Sequence, residues 1–574
     1  MKKADENLTK LPQNQKDTKI LADIQNIESS LGELNNLHLR RKILRDPRVW
    51  IIVIYLVSLF GIFWLRPLWL LKIDKALKSV GSFKLPVIDK EISLSWLLPI
   101  LKYHPRVLDA WVETHLKSVQ EAFEQKDTVS HRNVYIPIPV KHNDRMIAQL
   151  IGKDLRSTFN KKRACLLIPG EGGVGKTSLA CQIAKWGMSN DEVERLCKHR
   201  MLPVLIEEEL EIEEELEIRK ETEIQPGSIR KSPSTRALIK AIQGQLQNLT
   251  DEVDTISEEL LERLLRERRI LVIVDHLSEM SETTRKAIRP DSPDFYVNAL
   301  IVTSRSEEKL GQVTKTTLKP VLIEGNRLSS FMEAYLTQAN KRDLFTDSEF
   351  FQACTRLSQM VGERPITALL AKLYANQLIA GKIEESQQSY LLSSGNIPDL
   401  MLWYLNELNR SVTEGYKLDN RVVQQDAKVI AWECLRQTFR PTTAKRDTIL
   451  AALNKNDPEN RLKYLEERLH LIQTISAAQD KIRFTLDPLA EYLAAMHVLE
   501  LCQDTSFWKD LWHQLTTVSE GTITGFLHAL LDCFQVLGKD ASLPQSILEE
   551  LNKLIDHTAS QKPLIVTSAT FIQS

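Results

Sequence analysis

Residues 170–178 read GEGGVGKTS, directly behind the apolar run ACLLIP. The stretch fits G-x-x-x-x-G-K-[S/T] without a mismatch, with Gly170 and Gly175 at the ends of the first interval. Gly170, Gly172, Gly173 and Gly175 permit positive φ, so successive backbone N–H groups can turn inward as an anion nest. The helix expected to follow, SLACQIAKW, turns its N-terminus to the same place. Lys176 is placed to reach β- and γ-phosphates and Thr177 to ligate Mg²⁺, with Ser178 next to them among the nucleotide-binding residues. Two carboxylates and an arginine complete the set. Asp275 ends the apolar run RILVIV, where a Mg²⁺-directed carboxylate belongs. Glu279, four residues on, can polarise an attacking water. Arg305 ends the run LIVTSR, and its planar guanidinium suits a terminal phosphate.

Elements must hold these groups together. Five apolar runs lie at 164–168, 201–206, 269–274, 298–303 and 318–323, several apolar throughout, as strands buried on both faces are. Helical stretches separate them. The expectation for 131–325 is an α/β core: a parallel five-stranded sheet with flanking helices. VYIPIPV at 134–140 reads as an edge strand because of its prolines, and HNDRMIAQLIGKDLRSTF after it as helix. The sequence IEEELE occurs twice in tandem from 206, making an acidic insertion over 207–217, read as a solvated expansion. Residues 326–400 read as a helical domain. Residues 401–500 read as helices followed by strand, turn, strand at 471–486 and a further helix, the pattern of a winged helix. Residues 501–574 read as helical.

The N-terminal part is of another kind. Residues 1–45 are polar, with a short amphipathic or coiled-coil-like helix marked by Ile20, Ile24, Ile27, Leu31 and Leu34. VWIIVIYLVSLFGIFWL, residues 49–65, carries no charge. With Arg66 snorkelling, Val49–Leu71 within the segment 46–72 is a transmembrane helix candidate. A buried core helix, or one lying in the interface, is the alternative. Basic residues flank it on both sides and set no orientation, but an ATP site requires the C-terminal side in the cytoplasm. Residues 73–130 read as a helical connector. Lys plus Arg number 75 and Asp plus Glu 76, so no long-range field draws nucleic acid, and no direct nucleic-acid binding is expected. The seven cysteines form no C-x-x-C and are expected as reduced, mostly buried thiols.

Taken in order, GEGGVGKTS, LVIVDHLSE, LIVTSR, VGERPITALL and RFTLDPLAEYLAA resemble the motifs of STAND-class P-loop ATPases, most closely the NACHT-like branch as found in bacteria. The resemblance covers roughly residues 134–500. It implies a winged-helix domain over 401–500, Pro365 packed on adenine, ATP or ADP with Mg²⁺ as ligands, and slow turnover. It further implies an ADP-closed, ATP-open switch that forms a homo-oligomer when active and signals to an unknown protein partner, with defence as a setting. The chain departs from the family pattern at His276, where Gly is common, at Ser278, where Asp is common, and at Leu486, where a His is common. The full expectation is a membrane-anchored switch through residues 49–71. A constitutive AAA+-like ATPase, or a nucleotide-binding membrane scaffold without turnover, are the alternatives. NKND at 454–457 matches a guanine-reading motif but follows a helical run far from the core, and is read as chance.

Overall fold

The computed structural model describes residues 47–73, 101–130, 132, 134–212, 232–250, 256–362, 364–383, 395–413, 415–453, 457–475, 480–501, 505–517, 523–537 and 548–553. Two compact units divide the chain, residues 1–111 and 112–574.

In the first unit, helix α1 spans Pro47–Leu65. It stops at Arg66-Pro67, and a new helical turn begins only at Trp69. Pro67 lacks the N–H needed to continue the ladder and disfavours helical backbone at Arg66. The expected crossing Val49–Leu71 is therefore not one helix. Among the described residues no helix is long and apolar enough to cross a membrane. Leu59 and Phe63 of α1 pack with Leu70 and with Val107, near the start of helix α2 (Pro105–Gln125). His104 lies edge-on to Phe63, its structural role here. The boundary between the units falls within α2. The proposed N-terminal helix at residues 20–34 lies outside the described residues.

The second unit opens on a sheet. Its strands are β1 (Val140–His142), β2 (Arg145–Ile147), β3 (Ala164–Pro169), β4 (Leu202–Ile206), β5 (Ile270–Val274), β6 (Ala299–Ser304) and β7 (Thr316–Pro320), in the order β2-β1-β7-β3-β6-β5-β4. The five expected strands are present and parallel to one another. The sheet as a whole is mixed and seven-stranded, not the expected parallel five. The difference is the antiparallel hairpin β1–β2, which pairs with β7 at the edge. Its strands are three residues each and partly polar, so they give no apolar run. Residues 145–147, expected within a helix, are strand, and helix follows only as short turns at 152–159. β7 begins two residues before its expected place and ends three before it.

Strands β3 to β6 are buried at every position, each such aliphatic side chain contributing about 1.5–3 kcal/mol. Helices α3 (Lys176–Met188), α4 (Pro233–Thr250), α5 (Glu258–Arg266) and α6 (Glu282–Ala287) accompany the sheet. Ser257 caps α5 by accepting from the Leu260 N–H. Of the acidic insertion, Glu209 is structural: it accepts from Ser281 N–H (2.6 Å) and Thr284 Oγ1 (2.6 Å) at the start of α6. Residues 213–217 lie outside the described residues.

Helices α7 (Gly325–Gln338), α8 (Asp347–Val361), α9 (Ala368–Ile383), α10 (Ile397–Arg410) and α11 (Asn420–Leu435) follow. Thr346 and Glu349 close a capping box on α8. Next come β8 (Ala444–Lys445), α12 (Arg446–Leu453) and α13 (Pro458–Glu467), then β9 (Ile472–Ile475), β10 (Lys481–Phe484) and α14 (Asp487–Leu501). The expected strand-turn-strand is the antiparallel pair β9–β10, which β8 widens to three strands. Helices α15 (Thr505–Thr517) and α16 (Thr524–Leu537) come last. One apolar core joins α7–α16 with the small sheet. Asp457, last residue of NKND, caps α13; the other three lie outside the described residues. The six described cysteines are free and buried, as expected.

Candidate functional site

The loop between β3 and α3 lies at the C-terminal edge of the sheet's centre, because β3 sits between β7 and β6. Its shape rests on backbone that favours glycine: Gly173 has φ +73° and Gly175 φ +100°. The Gly170 N–H donates to Ser304 O (3.0 Å), tying the loop to the tip of β6. Lys176 is buried and its ammonium donates to Glu171 O (2.8 Å), across the loop. Burial lowers the Lys176 pKa, with Asp487 the chief opposing charge.

β5 delivers Asp275, fully buried. Thr177 Oγ1 lies 2.9 and 3.1 Å from its two carboxylate oxygens, and Thr303 Oγ1 donates to Oδ1. Burial alone would raise the Asp275 pKa. His276 and the hydroxyls of Thr303 and Thr177 outweigh it and hold the carboxyl low. Thr177 and Asp275 are thus paired as hydroxyl and carboxylate, a hard oxygen set suited to Mg²⁺. Ser178 follows in the first turn of α3.

His276 takes the left-handed conformation, φ +56°. That is the physical reason a glycine suits this position in the resembled pattern, and His is among the non-glycine residues that tolerate it. Its Nε2 is 3.1 Å from Asp275 Oδ2 and its Nδ1 3.8 Å from Glu279 Oε1. Ser278 Oγ accepts from the Arg305 N–H (3.0 Å).

Arg305, one residue beyond β6, joins three elements. Its Nε donates to Glu279 Oε1 (2.9 Å), and its Nη2 lies 2.7 Å from Asp487 Oδ2 at the N-terminus of α14. Arg483 on β10 approaches Glu279 from the other side, 3.9 Å from Oε2. All four side chains are shielded, none more than 15% exposed. Burial would raise the Glu279 pKa, but His276, Arg305 and Arg483 outweigh it and hold it at about 2. A carboxylate gripped this way is a poor proton acceptor.

Three helix N-termini converge on the loop. α3 grows out of it. The Leu369 N–H, at the start of α9, donates to Gly173 O (3.2 Å). Asp487, at the start of α14, comes so close that a Cβ on Gly172 would stand 2.5 Å from the Asp487 Cβ. A Cβ on Gly173 would stand 2.8 Å from Pro488 Cγ. Glycine here answers to close approach as well as to φ.

Pro365 is exposed, while its neighbour Ile366 bridges Ile323. Arg364, beside it, donates to Asp532 Oδ2 (2.5 Å) on α16, and Tyr492 Oη donates to the same oxygen. Leu486 packs against the helical core.

The residues present fit a nucleotide with Mg²⁺. The left-handed backbone at Gly173 and Gly175 suits a loop whose N–H groups turn inward on an anion, and the Thr177–Asp275 pair is a ready oxygen set. The structure thus brings together the loop glycines, Lys176, Thr177, Asp275, Glu279 and Arg305, and shows Pro365 exposed. Sequence reasoning missed Asp487, Arg483 and Glu491 as site residues.

Glu491, one helical turn past Asp487, has its pKa raised to about 8, first by burial, then by Asp487 and Glu171, against Arg305 and Lys176. Gly525 on α16 makes room for its carboxylate. An acid whose pKa is raised stabilises the packed arrangement fully only below its ordinary value of about 4.5. That stability falls as pH rises towards about 8, by at most tenfold per unit. We expect release of bound nucleotide to quicken from about pH 6 to about pH 8. Glu491→Gln, measured alongside, should flatten that dependence.

No protein-family model matches the chain, and no curated protein does. Among solved structures it is similar to a Signal Transduction ATPase with Numerous Domains carrying a tetratricopeptide repeat sensor, from Pyrococcus horikoshii. Identity is 14%, the match covers 71% of this chain and 53% of that one, and the TM-score is 0.26. The chain spans about half the length of that protein. At that identity and score, function has to be argued from the site.

Proposed function

We propose that the chain is a nucleotide-dependent switch of the STAND class, NACHT-like in its motif order, and that the arrangement described is its closed form. The observation that carries this reading is Arg305, which joins the nucleotide core to α14 through Glu279 and Asp487. α7–α9 form the helical part, over residues 326–400, and α10–α14 with β8–β10 the winged-helix part, over residues 401–500. The loop glycines and Lys176 hold the phosphates of ATP or ADP. Thr177 and Asp275 would hold Mg²⁺, which would supply positive charge to the phosphates. Pro365 borders the base.

Closure and catalysis compete for the same side chains. While Arg305 and Arg483 grip Glu279, it cannot orient a water, so turnover waits on the departure of α14. A nucleotide that favours the open arrangement shifts the population only by its differential affinity for the two forms. Opening frees surfaces for a homo-oligomer and an unknown protein partner. A fixed working ATPase has no use for a carboxylate disabled at rest.

Turnover tests the reading. Wild type should hydrolyse ATP slowly. Glu279→Gln should lower the rate of any open form by about 100-fold while nucleotide is still bound. Fast wild-type turnover, or turnover indifferent to Glu279→Gln, would contradict the reading.

A further inference from the structure

Helix α1 has two faces. Leu59 and Phe63 are packed against Leu70 and Val107. On the other side Ile54, Val57, Phe60, Trp64 and Leu65 recur at helical spacing, each more than half exposed, and Trp69 beyond the break is exposed to the same degree. Scattered exposed apolar residues need no explanation, but a continuous apolar face of this kind marks an interaction surface.

Its surroundings decide the partner. No Asp or Glu occurs within residues 47–73, where Arg66 and Lys72 are exposed, and Arg106 is exposed at the start of α2, with Asp109 three residues on. The Arg106 guanidinium lies over the Trp64 ring, 4.4 Å from its centre, and donates to Trp64 O (3.0 Å). A cation thus stands beside an exposed indole. A second copy of the chain would set cations against cations. An anionic lipid surface complements them, and Trp64, Trp69 and Phe60 are residue types that settle at headgroup depth.

We propose that this face of α1 lies in the headgroup layer of an anionic membrane surface, without crossing it. The buried face stays on α2, the apolar face enters the acyl boundary, and Arg66, Lys72 and Arg106 meet lipid phosphates. With Leu59 and Phe63 committed to Leu70 and Val107, α1 offers one apolar face only, as a helix lying along a surface does. The inference is independent of the nucleotide reading.

The test is flotation of the full chain, diluted from detergent, with vesicles of phosphatidylcholine alone or with about one-third phosphatidylserine. Wild type should float with the phosphatidylserine vesicles and at least tenfold less with phosphatidylcholine alone. Alkaline carbonate should strip it. Combined Phe60→Ser, Trp64→Ser and Trp69→Ser, all exposed, should abolish flotation while nucleotide retention stays unchanged. Arg66→Glu with Lys72→Glu should remove the preference for phosphatidylserine. Failure of wild type to float would overturn the proposal. So would a detergent-free oligomer that the triple substitution dissolves, which would assign the face to a second copy. Carbonate-resistant binding would assign it to a crossing helix.

Discussion

Replacing Asp487 with Ala should release bound nucleotide about 100-fold faster than wild type. Asp487 supplies one of the two carboxylates around Arg305, at a place where both partners are shielded from water. Removing one member of a buried pair costs about 3–5 kcal/mol, because a desolvated charge is left behind. Glu279 still pairs with Arg305, so the lower end of that range applies, and about 3 kcal/mol is roughly two decades in an equilibrium. The cost falls on the closed arrangement alone, since an open chain returns Arg305 to water. Release of a fluorescent ADP analogue, with proteolytic sensitivity of α14, measures it. Asp487→Asn keeps the shape and should give a smaller effect. Unchanged release in Asp487→Ala would mean that α14 is no latch.

Lys176→Ala should lose nucleotide by at least about 100-fold without losing stability. The ammonium is buried, and burial lowers its pKa, so the folded chain carries a cost for keeping it charged. A lysine whose pKa is lowered disfavours folding at every pH below its ordinary value of about 10.5. Truncation to Ala removes that cost together with one hydrogen bond to Glu171 O. The loss falls on phosphates, for which charge-assisted bonds are worth about twice neutral ones. Thermal unfolding and nucleotide titration on one preparation separate the two effects. A large drop in Tm with binding preserved would contradict this assignment of Lys176.

The reach of the sequence followed the reach of its local signals. The phosphate loop, Asp275 and Arg305 could be read because each sits at the end of an apolar strand buried on both faces. The hairpin β1–β2 could not, since three-residue edge strands carry no period. Pro67 was visible, but the apolar run on either side outweighed it. Asp487 was in view only as part of Phe484-Thr485-Leu486-Asp487. An acid in the first turn of a helix is so common that nothing marks it as an arginine's partner more than 180 positions away. Arg483 and Glu491 are likewise defined by where α14 docks, which is tertiary. His276 and Ser278, departures from the resembled pattern, turn out to fill its geometric needs: a left-handed backbone and an acceptor for the Arg305 N–H.

The central claim is that the closed arrangement holds its nucleotide at rest. It is tested most directly by extracting purified wild-type protein and identifying what it retained. The account predicts ADP in wild type and none in Lys176→Ala. An empty wild-type site accompanied by rapid ATP turnover would contradict it.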